Sequence, residues 1–336
     1  MKGGCFIVIA LLLGGLLLSF DSGAQTTQQK QPASLEKRVS DCERDLSALR
    51  KETNPFSSEN IPETFLLFDK KAPLYRDEIR ERYERELFQV IEHKGLMVII
   101  IKRYFKYYNI INEEIQKANV PSDLIYLVIA ESYLNPRSVS RAQAAGMWQF
   151  IQETGKREGL YISETIDERY NVRKSTRSAL NHLKRLYGDF GDWFIAVAAY
   201  NAGPQRLREV IANQNTKDFF DMHLPEETER YLFRIMAMKE VITNHEKYGI
   251  TIYEKDLYRP VAVSEVWIEV TKELHTNVLA KSMDVSYKTF RENNLHLRRY
   301  RLPPGTYLIT VPSDKKEGFL KRLQGYEHVR VVKTSP

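Results

Sequence analysis

Glu131 is the residue whose position is hardest to explain as structure alone. Seven apolar residues, Leu124 to Ala130, run unbroken into it, followed by Ser132 and an Asn135-Pro136 break. Such a run fits a buried helix or a buried strand, and periodicity does not choose between them. The Pro121-Ser122-Asp123 start favours helix, because Pro suits a first turn and Ser or Asp can satisfy the free backbone N–H groups there. Glu131 then falls in the last turn of a helix that is apolar all round. Burial and the negative end of the helix dipole both disfavour its ionised form, so its pKa is expected to rise. A carboxyl group kept protonated near neutral pH is equipped for general acid catalysis.

Three more stretches combine polar side chains with helix breakers: Gly146-Met147-Trp148-Gln149-Phe150, Ala199-Tyr200-Asn201-Ala202-Gly203-Pro204 and Glu227-Thr228-Glu229-Arg230-Tyr231. Their amide and phenol groups can hydrogen-bond a polar ligand without adding charge. Trp148 and Phe150 read equally as core or as a stacking platform, Gly203-Pro204 chiefly as a helix stop, and Ser132 as a backbone cap.

The elements that must position these groups are mostly helical. Between Thr64 and Lys117, Tyr83, Leu87, Val90 and Ile91 form one apolar stripe, and 97–108 and 110–115 suggest one or two more helices, with Gly95 as the expected break. The rings of Tyr104, Phe105, Tyr107 and Tyr108 lie at helical spacing and read as core. Asp167 to Asn171 reads as a polar loop. Ser175 to Tyr187 is amphipathic, with Ala179, Leu180, Leu183 and Leu186 on one face and Gly188 and Gly191 ending it. Trp193 to Asn201 is nearly all apolar and stops at Gly203-Pro204. Glu227 to Glu240 is a further helix. Beyond Gly249 the texture turns β-branched and alternating: a strand through Val261, Val263, Val266, Ile268 and Val270, helices over 276–283 and 287–293, a strand over 307–311 and a terminal helix over 319–323.

Residues 1–24 read as a secretory signal peptide: Lys2, an apolar stretch from Phe6 to Leu18, and small residues before a cut after Ala24. The apolar run is short for a membrane span. Cys5 precedes that run, so no lipoprotein signal stands at the usual place. Cleavage leaves Cys42 as the single cysteine and no internal disulfide. Residues 25–34 read as a tether, and Leu35, Val39, Cys42, Leu46 and Leu49 as a short docked helix. The net charge of +6 survives the cut, since Lys2 and Asp21 leave together. In an exported protein it points to anionic cell-wall polymers or a membrane surface, or serves solubility alone, and nucleic acid is not an expected partner. The seven histidines form no metal-ligand pattern, and no metal or cofactor is expected.

In this order and at these separations, the four motifs resemble the catalytic domain of the SLT lytic transglycosylases, a goose-lysozyme-like helical fold, and most nearly the membrane-bound lytic murein transglycosylase D group. The likeness covers about 120–248, including DERYN and WFIAVAAYN. It implies non-hydrolytic cleavage of the β-1,4 bond between N-acetylmuramic acid and N-acetylglucosamine of peptidoglycan, leaving 1,6-anhydro ends, with periplasmic or envelope localisation. It implies Glu131 as the single acid and base. Ser132 and Tyr231 match positions that orient the Glu; Gln149, Tyr200 and Asn201 match positions that hold the glycan, and Met147 shapes the cleft wall. The chain departs from the family at Leu232-Phe233-Arg234, where Val-Pro-Lys is usual, and at Gln143 and Gln205, where Gly is common. The segment around 261–312 resembles a diverged LysM, associated with N-acetylglucosamine chains.

The expected fold class is therefore mainly α: a lysozyme-like catalytic domain over 119–248, N-terminal helices over 63–118 and a small α+β LysM-like module over 249–336, behind a signal peptide (1–24) and tether with short helix (25–62). The expected partners are peptidoglycan glycan strands, with peripheral association to membrane or wall proteins as a further possibility. A hydrolytic lysozyme of the same fold and a non-catalytic peptidoglycan-binding protein are the alternatives.

Overall fold

The computed structural model describes residues 37–44, 56–58 and 61–334. The expected signal peptide, the tether after it, and Leu35, Leu46 and Leu49 of the expected docked helix lie outside the described residues. Residues 37–44 form helix α1, whose Val39 and Cys42 are exposed. Among the described residues no helix is long and apolar enough to cross a membrane.

The main body opens with a tight antiparallel hairpin, β1 (Phe65–Leu67) and β2 (Lys70–Ala72), too short to carry a strand signature. The helices follow: α2 (Asp77–Glu92), α3 (Lys94–Ala118), α4 (Leu124–Ser132), α5 (Gln152–Arg157), α6 (Val172–Phe190), α7 (Trp193–Ala202), α8 (Pro204–Gln214) and α9 (Glu226–Thr243). The expected stripe on α2 is buried. The break before α3 is at His93, and Gly95 lies in the first turn of α3. Gly188 is likewise inside α6, which ends at Gly191 with φ +70°. Polar caps define two starts. Asn171 Oδ1 accepts from Lys174 N (2.9 Å) at α6, and Asp192 Oδ1 accepts from Phe194 N (2.7 Å) at α7. The Gly203 turn at φ +90° passes directly into Pro204, which opens α8 instead of only ending α7. One continuous apolar core runs from Ile61 to Ile250 and draws on all helices from α2 to α9 except the small α5.

The aromatic group on α3 is only partly core. Tyr107 is buried, but Phe105 falls on the opposite face of the helix and Tyr108 about a quarter-turn away, and both are exposed. Tyr104 lies between the two environments and stacks on Tyr126 at 6.4 Å.

The C-terminal part has its own core, from Val266 to Val329. Strand β3 (Val263–Val270) alternates partly buried and buried residues, as its β-branched pattern predicts. Then come β4 (Leu274–His275), α10 (Thr276–Met283), α11 (Tyr287–Asn293), β5 (Arg301–Leu302), β6 (Gly305–Pro312), α12 (Lys316–Leu323) and β7 (Val329–Thr334). β3 is the centre of an antiparallel sheet ordered β6-β3-β7, with Val266 opposite Ile309 and a register shift between Trp267 and Ile268. β7 had no sequence expectation. This unit joins the helical body by backbone pairing: Asp167 N donates to His296 O (2.8 Å), Arg298 N to Thr165 O (2.7 Å) and Val261 N to Lys106 O (2.8 Å).

Candidate active site

α4 lies among α3 and α9, and six of its seven apolar residues are buried. Its start is not capped by a side chain. Asp123 instead accepts from Phe68 N (2.8 Å) and from Lys239 Nζ of α9 (2.9 Å to Oδ2), clamping the helix to the hairpin and to α9. Tyr133 and Leu134, both at φ +53°, turn the chain sharply after Ser132. That placement strands Glu131 at the helix end.

The Tyr231 hydroxyl of α9 donates a hydrogen bond to Glu131 Oε1. Glu131 keeps part of its side chain open, yet its carboxyl is deep enough that burial pushes its pKa up to about 7. The Tyr231 bond and the Arg234 charge pull in the other direction, and Glu227 adds a small upward push. Burial wins because one hydrogen bond and one cation do not replace the lost hydration of the carboxylate. Tyr231 and Tyr200 are both held well above the ordinary tyrosine value, chiefly by burial, so both are neutral hydrogen-bond donors at any working pH.

The loop between α4 and α5 carries the second motif. Met147 and Trp148 are core residues (1% and 0% exposed), so they support the loop from inside and offer no surface to a sugar. Trp148 Nε1 donates to Thr176 Oγ1 (2.8 Å), and Trp148 O accepts from the Tyr200 hydroxyl (2.7 Å). Gln149, at φ +50°, donates from its amide to Gly146 O (2.7 Å) and more weakly to Ser138 O (3.3 Å). Both bonds use the amide nitrogen, which leaves the amide oxygen as an acceptor for a ligand. Ser132 Oγ donates back to Val128 O (3.3 Å), a backbone bond within α4. Asn201 lies half-buried beside Tyr200 at the end of α7.

Two ionic groups behind the site were not foreseen. The DERYN stretch, expected as a polar loop, is a buried 3-10 turn in which Asp167, Glu168, Arg169 and Asn171 are all under 10% exposed. Arg169 pairs with Asp167 (Nη2 to Oδ2, 2.8 Å) and donates through Nη1 to Gln143 O (3.0 Å) and Phe150 O (3.1 Å), gripping both ends of the Met147–Gln149 loop. Gly146 passes so close to this turn that a Cβ there would sit 1.9 Å from Arg169 O. Behind α9, Glu86 of α2 is 2% exposed and pairs with Arg230 (2.6 Å) and Arg234 (3.5 Å). In the sequence such charges look like solvated faces; the signals were the match of the DERYN string and of the Glu227–Tyr231 motif, which contains Arg230, to a family pattern.

No group of His, Cys, Asp and Glu among the described residues could hold a metal ion.

The family of the transglycosylase SLT domain matches residues 109–222. Membrane-bound lytic murein transglycosylase D of Escherichia coli (strain K12) is 35% identical over 191 residues, which is 55% of this chain and 41% of that protein. A putative tributyltin chloride resistance protein of Alteromonas sp. (strain M-1) is 37% identical over 105 residues, 31% of this chain and 51% of that protein. The chain thus spans about half the length, or less, of the curated relatives it matches. The crystal structure of the 70 kDa soluble lytic transglycosylase SLT70 from Escherichia coli aligns at 18% identity and TM-score 0.38, over 53% of this chain and 32% of that one. Residues 109–222 are thus similar to the transglycosylase SLT domain, in a chain similar to the lytic murein transglycosylase D proteins.

Proposed function

We propose that the protein is a peptidoglycan lytic transglycosylase of the cell envelope in which Glu131 is the only acid and base. The observation that carries this reading is a carboxyl group at the end of a buried helix, held by the Tyr231 hydroxyl, where burial disfavours its ionised form.

Glu131 in its protonated form gives its proton to the oxygen of the β-1,4 bond as the C1–O bond breaks, with the substrate's N-acetyl group stabilising the positive charge at C1. The resulting carboxylate takes the proton of the sugar's own C6 hydroxyl while that oxygen bonds to C1, and the cycle returns Glu131 protonated. An internal nucleophile has a large effective-concentration advantage over water, which removes the need for the second carboxylate that most glycosidases use. A pKa near neutrality suits both half-steps. Tyr231 orients the carboxyl, Gln149 and Asn201 supply amides to the glycan, and Tyr200 fixes the loop through Trp148 O. Ser132 supports Glu131 through the backbone of α4, and Met147 through the packing beneath Gln149. The catalytic unit over 119–248 shares its core with the helices over 63–118, and the strand, helix, helix, strand order after Gly249 supports a LysM-like module that holds glycan.

Digestion of purified sacculi followed by mass spectrometry tests the reading. The expected products carry 1,6-anhydro ends, and Glu131→Gln abolishes them. Products heavier by one water would make the enzyme a hydrolytic lysozyme, and sacculus binding with no soluble product would make it a binding protein.

A further inference from the structure

Glu86 is a buried charge with no task in the reaction described so far. It lies in α2 with 2% of its surface exposed, and α2 packs against α9. Three arginines surround it: Arg230 at 2.6 Å, Arg234 at 3.5 Å and its chain neighbour Arg85 at 3.7 Å. A buried ion group of this kind is often no more stable than apolar packing of the same volume, so stability alone does not account for it. Its partners differ in what else they hold. Arg230 also donates to Gln89 (Nη2 to Oε1, 3.0 Å) and lies 3.9 Å from Glu226, while Arg85 lies 3.1 Å from Glu226. Among the described residues Arg234 is paired with no carboxylate but Glu86. The register of α9 ties that pair to the site. Glu227, Tyr231 and Arg234 follow at steps of four and three, so they share one stripe of the helix, and Tyr231 on that stripe bonds the Glu131 carboxyl. Arg230 stands four residues before Arg234, on the adjoining stripe that meets Glu86. Arg234 is thus common to both stripes, with its charge acting on Glu131 and its Nε facing Glu86. The groups that bear on the Glu131 carboxyl are Tyr231, Arg234 and Glu227 of α9 and Tyr200 of α7, and Arg234 is the cation among them.

We propose that Glu86 is a positioning residue of the active site: from α2 it fixes Arg234 and offsets its charge, so that Glu131 keeps the proton it must give to the substrate. A guanidinium left unpaired on that stripe favours the carboxylate form of Glu131, as a cation beside a carboxyl does. Loss of Arg234 does the reverse and holds the proton more tightly. The pair therefore sets the upper pH limit of the cycle. That consequence for activity rests on the transglycosylase reading above, whereas the consequence for the titration of Glu131 does not. α2 precedes residues 109–222, which match the SLT domain, so the N-terminal helices take part in the acid-base chemistry as well as supporting it.

Isotopic labelling of the glutamate carboxyl carbons lets Glu131 be titrated by NMR in the full chain, its signal identified by its loss in Glu131→Gln. Glu86→Gln lowers the midpoint by about 0.5–1 pH unit and Arg234→Gln raises it by a similar amount, the size expected of one uncompensated charge partly screened by solvent. The double variant falls between the two, and Arg234→Lys, which keeps the charge, stays nearer the wild type than Arg234→Gln. The opposite signs are decisive. If the group only braced α2 against α9, loss of either partner would loosen the site, rehydrate the carboxyl and lower both midpoints. A midpoint lowered in both single variants, no movement in Arg234→Gln, or a double variant outside the range of the two singles would overturn the proposal. Arg234 is partly exposed, so Arg234→Gln and Arg234→Lys decide the question even if Glu86→Gln does not fold. A pH–rate series on soluble glycan shows the basic limb moving with the midpoint in each variant. Shifted midpoints without anhydro products from sacculi remove only the transglycosylase reading, whereas anhydro products with an unmoved midpoint remove only the role of Glu86.

Discussion

Replacing Glu131 with Gln is expected to make the protein more stable as pH rises, even as it removes activity. A carboxyl that titrates at 4.5 in the unfolded chain and at about 7 in the folded one holds a proton in the native state that the unfolded state has released. Below pH 4.5 both states are protonated and the site costs nothing. Between pH 4.5 and 7 the native state loses ground with each step up in pH, and above 7 the full penalty applies. The interval corresponds to a penalty of about 3 kcal/mol at most, and the part of the side chain left open to water reduces it. The amide introduced by Glu131→Gln keeps an acceptor for the Tyr231 hydroxyl and carries no charge. Denaturant unfolding of the wild type and Glu131→Gln at pH 4, 6 and 8 therefore shows a stability difference that is near zero at pH 4 and favours the variant by about 1–3 kcal/mol at pH 8. A difference that does not change with pH, or a variant less stable than the wild type at pH 8, would refute the claim that burial controls this carboxyl.

Tyr231→Phe removes a donor that favours the ionised carboxylate, so the pKa of Glu131 moves further up. The basic limb of the activity profile, set near pH 7 in the wild type by loss of the proton on Glu131, shifts to higher pH while the maximal rate falls because the carboxyl is no longer held in place. A pH–rate series on soluble glycan measures both, and a shift toward lower pH contradicts the assignment. Gly146→Ala places a methyl group against the Arg169 carbonyl at a backbone angle of φ +79°, and unfolding experiments should find a loss of about 2–4 kcal/mol. Wild-type stability in that variant would mean that the loop and the DERYN turn are not in contact.

The legible parts of this fold were those whose cause is local. α10 and α11 begin and end where the residues alone put them, because Ser286 caps α11 (Thr289 N to Oγ, 3.1 Å) and apolar spacing fills the inner faces. β3 was legible because alternation of side chains is itself the strand's geometry. α8, β7 and the β1–β2 hairpin were not. The hairpin and β7 take their pairing from distant chain, and α8 follows a Gly-Pro stop that read only as an ending.

By itself the sequence determined that Glu131 ends an apolar helix and that its proton should be hard to remove, since seven apolar neighbours in a row leave a carboxylate no local solvation. What answers that carboxyl was implied by the resemblance for Tyr231 and was otherwise decided by the tertiary structure. Tyr231 comes from a helix 100 residues further on; Arg234, paired with Glu86, acts on the carboxyl through its charge; and Arg169 grips the Met147–Gln149 loop from a segment that reads as solvated. Charge in a sequence carries no label for burial. Whether an arginine faces water or holds a catalytic loop depends on which carbonyls and carboxylates the packing brings within about 3 Å of it, and that is a property of the folded chain.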